Sequence, residues 1–449
     1  MGEEKGNLFK ITTIIALISL ALIMLLNFFN IPFFVIFALV LLFVITLINI
    51  EIGIYLIAFF LPLINLNFYF SSLQVPFIDL LAGAVFFVYL VKHFLARDFK
   101  SIELPHIFSF SLFFLAVILS SIFSENIYSS LWYSLRWILF FYLVYIVLPV
   151  NVIKNEKVLK NACVAFSFSV FLIALMGIYS ILTQDWLNTI VRVRPISLFG
   201  TYPIGENQNL IVETLLPGVF ILLALKYWIK DLRLKRFLNI LIAFVATTLL
   251  LTFSRGAWLS LFLVSLLMSI VFYKKRLIKF IVPLFLVILI ITPLIFYMIN
   301  IQTTYDIGTT SNKSRLLLSE IAWDGFKDSP IVGKGTGEYL NLVANNIRFR
   351  ANYGDPVDSH GVMQKILVEN GAIGFLTFVV FVIAIFKSFI KFLKKEEYKE
   401  FYLPLVGAAL SVSIFELFNT SYYKGKLWFV IALAIVSVRL IENKKSYEK

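Results

Sequence analysis

The sequence alternates long apolar runs with short polar breaks, and the rhythm stops once, between Ile301 and Gly374. An apolar run of roughly 17–22 residues is long enough to cross a bilayer core as a helix. Read this way, helices begin near Ile11, Phe33, Ile52, Asp79, Ile107, Arg136, Asn161, Leu210, Leu238, Gly256, Phe280, Ala372, Phe401 and Leu427. The two short runs between Phe33 and Ile64 form either two spans or one re-entrant unit. The pattern predicts an all-α polytopic membrane protein with about 12–14 transmembrane helices. One large outer loop, containing short helices, interrupts them. Three regions follow. Residues 1–300 hold the N-terminal transmembrane helices and a Ser-Arg-Gly hairpin, residues 301–371 the large loop, and residues 372–449 the C-terminal transmembrane helices.

Composition agrees. Of 449 residues, 60% are hydrophobic and only 14% charged, so the solvent for most of the chain is lipid. The first run, Ile11 to Phe29, follows Lys5 and Lys10 and has no small-residue cleavage site after it, which predicts a retained anchor. The single cysteine, Cys163, excludes an internal disulfide and a zinc cluster built on cysteines. A net charge of +13 would suggest nucleic acid in a soluble chain. Here the excess is what short cytoplasmic loops carry, and no nucleic-acid partner is expected.

Charge also orients the chain. With the N-terminus in the cytoplasm, 26 of the 39 Lys and Arg residues fall on the cytoplasmic side and 13 outside. Seven of the outer ones belong to the large loop; the others are Arg136, Arg192, Arg194, Arg255, Lys424 and Lys426. Basic clusters at Lys230–Arg236 and Lys274–Lys279 pin two cytoplasmic turns. The hairpin tip Ser254-Arg255-Gly256 and the loop after Asn300 must then face outward, with both termini in the cytoplasm.

Candidate chemistry gathers on that outer side. Arg255 sits among Leu251, Phe253, Ala257 and Trp258, and Gly256 lets a ligand approach the backbone. An arginine there is either a snorkelling anchor or a donor fork for phosphate. In Ser311-Asn312-Lys313-Ser314-Arg315, Asn312 or Ser314 can cap a helix, bringing Arg315 and free amides together as an anion site. The alternative is a surface ion pair of Arg315 with Glu320 or Asp324. The glycines of Asp328 to Gly337 match neither nucleotide-binding spacing and predict a tight turn. Asp358 or Ser359 can cap a helix ending at Gly371, placing His360 in its first turn with Gln364 one turn on. The other histidines, His93 and His106, fall near cytoplasmic ends, so an outer general base near neutral pH would be His360. Glu369 lies out of phase with it and is expected to stabilise the loop. Thr183–Asn209 is either an irregular loop or a surface for sugar hydroxyls, with Arg192, Arg194, Asn207 and Asn209 as its candidates. Ser254 and Arg348 complete the substrate-binding candidates. Asp355 and Asp358 merely flank a turn, so no metal ligand set and no cofactor is assigned.

These residues resemble a known family. Thr252-Phe253-Ser254-Arg255-Gly256-Ala257-Trp258, the long outer loop with Ser314-Arg315 and Trp323, Pro330 to Gly335, and His360 leading to Glu369-Asn370-Gly371 and Gly374 resemble the bacterial O-antigen ligases and polymerases. The resemblance spans roughly Phe199 to Phe378 in motifs. It implies a multi-pass protein of the bacterial inner membrane with a periplasmic catalytic loop. The implied donor is a glycan on undecaprenyl diphosphate; the implied acceptor is a lipid A-core sugar or another glycan, with membrane lipids around both. Arg255 and Arg315 match the arginines thought to hold the diphosphate, and His360 the histidine thought to activate the acceptor hydroxyl. Gly361, where the family often has asparagine, and Ile204-Gly205-Glu206-Asn207 depart from the usual motifs. The diphosphate is already a good leaving group, so the expected reaction is metal-independent and inverting. A polymerase or a protein glycosyltransferase of the same fold is the nearer alternative. A lipid-linked glycan transporter is the distant one, because charges between Ile11 and Leu250 look few and mostly terminal.

Overall fold

The computed structural model describes residues 44–70, 73–184, 191–198, 200–272, 307–393 and 399–447. The helices expected near Ile11, Phe33 and Phe280 lie outside these residues, as does the N-terminal anchor. Every other expected span coincides with a helix among the described residues. These are α1 (Ile50–Phe60), α2 (Phe77–Ala96), α3 (Ile107–Ile122), α4 (Ile127–Val152), α5 (Glu156–Leu182), α6 (Gln208–Trp228), α7 (Leu232–Leu250) and α8 (Arg255–Phe272). The loop contributes α9 (Ile307–Asp328), α10 (Tyr339–Asn345) and α11 (Ile347–Tyr353). The chain ends with α12 (Val362–Leu393), α13 (Lys399–Glu416) and α14 (Gly425–Tyr447).

Side-chain caps set several starts. Asn49, Asn155 and Asp231 accept backbone N–H bonds at the openings of α1, α5 and α7. Among the described residues, five helices are long and apolar enough to cross a membrane: α2, α4, α5, α6 and the apolar part of α12. Phe94, Leu115, Ile240 and Leu376 remain exposed on the helix flanks, and lipid is the solvent that suits them. One continuous apolar core joins the helices, while α9, α10, α11 and the start of α12 share a smaller core around Leu318, Tyr339, Phe349 and Val368. That second core explains how so polar a stretch keeps a fixed shape.

Three expectations need correction. The fold is not purely helical: β1 (Asn67–Phe70) pairs antiparallel with β2 (Leu73–Pro76), with Asn67 opposite Pro76. Arg136 does not open a span; its helix begins earlier, at Ile127, and Arg136 lies well inside it. The same helix widens into π-helical turns at Ser134–Leu139 and Tyr142–Val147. Finally, α9 is a 22-residue helix rather than a short one, and it starts at Ile307. Gly308, Thr309 and Thr310 are poor helix formers, but the segment holds no proline, and intrinsic propensity is a weak signal beside tertiary packing.

Gly371 does stop the helix that precedes it. Its φ of 64° and ψ of −168° divide α12 into a loop half and a membrane half. The break frees carbonyls, and the glycine-rich turn supplies their donors. Lys334 N donates to Val368 O and Gly335 N to Glu369 O, both at 2.9 Å. In return Ala372 N donates to Pro330 O (2.9 Å) and Ile373 N to Ile331 O (3.2 Å). A Cβ on Gly333 would meet Glu369 O at 2.2 Å, and one on Gly371 would meet Ile331 O at 2.3 Å. The tight-turn reading of this segment holds.

Candidate active site

One face of α9 carries most of the site. Asn312, Arg315 and Ser319 recur at helical spacing and share a side. Arg255 reaches this side from the first position of α8, where Nη2 donates to Asn312 Oδ1 (3.1 Å). Ser319 donates to the Arg315 carbonyl (2.9 Å) and accepts from Gln364 Nε2 (3.0 Å), which ties α9 to the loop half of α12. The helix start beside the arginines is therefore that of α8, not of α9. Its first amides have no acceptor within the helix, and they add positive potential where Arg255 leaves the backbone.

The electrostatics are one-sided. Among the described residues neither Arg255 nor Arg315 forms a salt bridge. Arg315 Nε is buried without a hydrogen-bond partner. Burial, and then the charge of Arg255, hold the Arg315 pKa below its ordinary value. An anion lying between the two guanidiniums would relieve both strains. Glu320, a possible partner of Arg315 on sequence grounds, pairs instead with Arg348 at 3.2 Å. Arg348 is turned to the surface, with its side chain 71% exposed.

His360 stands next to Arg315. Its helix opens at Val362, two residues later than expected, and Gly361 O accepts from Lys365 N (3.3 Å). The Ser359 hydroxyl donates to Gly361 O (2.8 Å), meets Thr420 Oγ1 (3.1 Å) and accepts from Gly361 N (3.4 Å), one residue ahead of the helix. The imidazole itself has no hydrogen-bond partner among the described residues. Burial first, and then the Arg315 charge, push its pKa down to about 4, with Asp358 acting the other way. The ring is neutral at pH 7 and has a lone pair to offer.

The sequence reading missed what holds this histidine. Lys365 Nζ donates to both oxygens of Asp358 (2.9 and 2.7 Å) and lies 3.7 Å from Glu369. Tyr423 OH donates to Asp358 (3.1 Å), and Lys365 sits over the Tyr423 ring at 4.8 Å. Glu369 accepts from Tyr339 N (3.3 Å), which bears out its role in stabilising the loop. Lys365 and Glu369 at i and i+4 were a local signal. Asp358 and Tyr423 are far apart in the chain and gave none.

The remaining candidates fall in two places. Ser254 Oγ donates to Asn209 Oδ1 (3.2 Å), so the earlier loop does meet the Arg255 hairpin. Asn207 supports it by accepting from Asn209 N (2.9 Å). Arg192 and Arg194 flank Val193, whose N–H donates to Leu251 O (2.9 Å). That places them against the base of the hairpin, outside the contacts joining Arg255, Arg315 and His360.

Residues 240–379 match the family model described as O-antigen ligase. The chain carries an O-antigen ligase family domain. The domain runs from α7 into α12 and contains Arg255, Asn312, Arg315, His360 and the Gly371 break. Ligases and polymerases of the glycosyltransferase type make up this family, and it implies a lipid-linked glycan and an acceptor as partners. With its apolar helices, the O-antigen ligase domain marks a membrane protein. No curated protein matches the chain.

Proposed function

We propose that the protein transfers a glycan from undecaprenyl diphosphate to a lipid A-core sugar at the periplasmic face of the bacterial inner membrane. The observation that carries this reading is a pair of arginines, without a salt bridge among the described residues, beside a neutral histidine. The acceptor hydroxyl attacks the anomeric carbon and gives its proton to His360. The bond from that carbon to the diphosphate oxygen breaks, and undecaprenyl diphosphate leaves with the electron pair. Arg255 and Arg315 stabilise the charge that grows on the leaving oxygens. Direct displacement inverts the anomeric centre. A diphosphate is a competent leaving group without a metal, so the arginines suffice as its electrophilic partners.

The low pKa of His360 gains a purpose in this scheme. A base near pKa 4 is weak at neutral pH. Binding the donor diphosphate offsets the Arg315 charge and raises the imidazole toward the useful range. Donor binding thus strengthens the base that the acceptor needs. Asn209 and Ser254 lie where sugar hydroxyls would enter, and the loop of residues 301–371 holds both substrates in line.

A gel of surface polysaccharide from a deletion strain tests the reading, with wild-type or His360→Ala complementation. A ligase predicts loss of the ladder and full-length glycan left on the lipid carrier. A core carrying one repeat unit would mean a polymerase instead. An unchanged ladder would redirect the assay to exopolysaccharide and glycoprotein. Full rescue by His360→Ala would remove the general base.

A further inference from the structure

A cavity of about 430 Å³ lies between the β-hairpin, the start of α2, the π-helical part of α4 and the start of α14. Arg255, Arg315 and His360 do not line it. Its walls include Asn67, Asp79, Arg136, Trp137, Tyr145 and Tyr423. Of these, only Tyr423 also enters the candidate site, through its bond to Asp358. Arg136 was one of the few outer cations seen in the sequence, and an ionisable residue inside a membrane helix marks a functional site by default.

The π-helical turns build this wall. In a regular α-helix, residues nine apart such as Arg136 and Tyr145 stand on roughly opposite sides. Two π-helical stretches lie along Ser134–Leu139 and Tyr142–Val147, and both residues face the same cavity. Such turns are costly and concentrate at functional sites. Gly425 completes the fit, because a Cβ there would meet Tyr145 Cζ at 2.3 Å.

The charge of this cavity is balanced, unlike that of the arginine pair. Asp79 accepts from Tyr145 OH (2.7 Å), and Arg136 lies 4.5 Å over the Trp137 ring. Lys424 and Lys426 at the rim are drawn to Glu213, at 3.9 and 3.2 Å. A diphosphate would favour the uncompensated arginines. Flat aromatic walls, an amide, a carboxylate with spare acceptor capacity and a guanidinium suit a pyranose, which has one apolar face and a rim of hydroxyls. The volume is ordinary for a small-molecule site.

We propose that this cavity is a carbohydrate subsite that holds a sugar of the donor or acceptor glycan, resting on the reading of the chain as a glycan transferase. Tyr423 is the partition: it lines the cavity on one side and donates to Asp358, two residues before His360, on the other. A glycan seated here would be aligned with the transfer centre.

The test is calorimetric titration of the full-length protein in nanodiscs. Two probes are used: a carrier-free single repeat unit from the strain's own polysaccharide, and core oligosaccharide lacking that polysaccharide. One of them should bind saturably, which identifies the source. Asp79→Asn and Arg136→Gln should each weaken it at least tenfold while the thermal midpoint stays near wild type. Arg255→Ala should bind the same probe as wild type does, even with transfer abolished. Equal binding by folded Asp79→Asn and Arg136→Gln variants would overturn the proposal. So would binding of inorganic diphosphate in place of either oligosaccharide, or loss of the probe in Arg255→Ala. An active Arg255→Ala would refute the transfer centre and leave the cavity standing.

Discussion

Among the described residues Arg255 and Arg315 form no salt bridge, and Arg255 donates to the neutral Asn312, whereas Lys365 is enclosed by two carboxylates, Asp358 at 2.7 Å and Glu369 at 3.7 Å. Arg315 and Lys365 belong to one loop and are both at least partly withdrawn from bulk water, while Arg255 reaches Asn312 of that loop from the start of α8. The difference lies in the partners. A buried charge with its counter-ion present holds the fold, and its removal leaves an orphan behind. A half-buried charge without a counter-ion weakens the fold slightly and waits for an anion from outside. Conversely, residue type alone cannot sort function from architecture here, since both regions are cations in a polar segment.

The contrast can be broken most forcefully at Lys365. Lys365→Met should strip Asp358 and Glu369 of their cation and cost about 3–5 kcal/mol of stability. A thermal melt in detergent would show it, and a midpoint near wild type would refute the architectural role. Arg255→Ala should do the reverse. Its transfer rate should fall by roughly 10²–10³ with little change in the melt. Single-turnover transfer from a lipid-linked donor measures this; a normal rate with a lowered melt would erase the distinction.

A smaller effect tests whether Arg315 acts on His360. The base must be neutral, so kcat/KM should be flat above pH 4 and fall below it in the wild type. In Arg315→Gln a positive charge beside the imidazole is gone, the protonated form becomes easier to reach, and the acid limb moves to higher pH. A limb that stays in place, measured relative to each variant's own plateau, would uncouple the two residues. The smallest effect should come from Arg348→Ala. An exposed pair with Glu320 contributes about 0–1 kcal/mol, so both melt and rate should stay close to wild type.

The legible parts of this molecule were those written locally. Apolar runs located the spans, and Gly371 ended its helix because the residue type and the required backbone conformation coincide. Arg255, Arg315 and His360 stood out as scarce charges in scarce polar sequence. The start of α9 was misread because Asn312 looks like a cap, and its amide is turned instead to Arg255. The β-hairpin left only four residues per strand to read, and the π-helical turns left no periodic trace. The Tyr423–Asp358 contact joins positions 65 residues apart, and only the fold brings them together.

The joint between the glycine-rich turn and the Gly371 break has a consequence for how this loop can diversify. Four backbone-to-backbone hydrogen bonds cross it, and Asn370 Nδ2 adds one between side chains by donating to Thr336 Oγ1 at 2.6 Å. Such a mounting depends on few side chains: Gly333 and Gly371 must remain bare, and Asn370 and Thr336 must keep their bond. The rest of the loop is therefore free to vary its surface without losing its seat on the bundle. One scaffold can be refitted to new acceptor glycans by ordinary substitution, with the geometry of the transfer centre inherited unchanged.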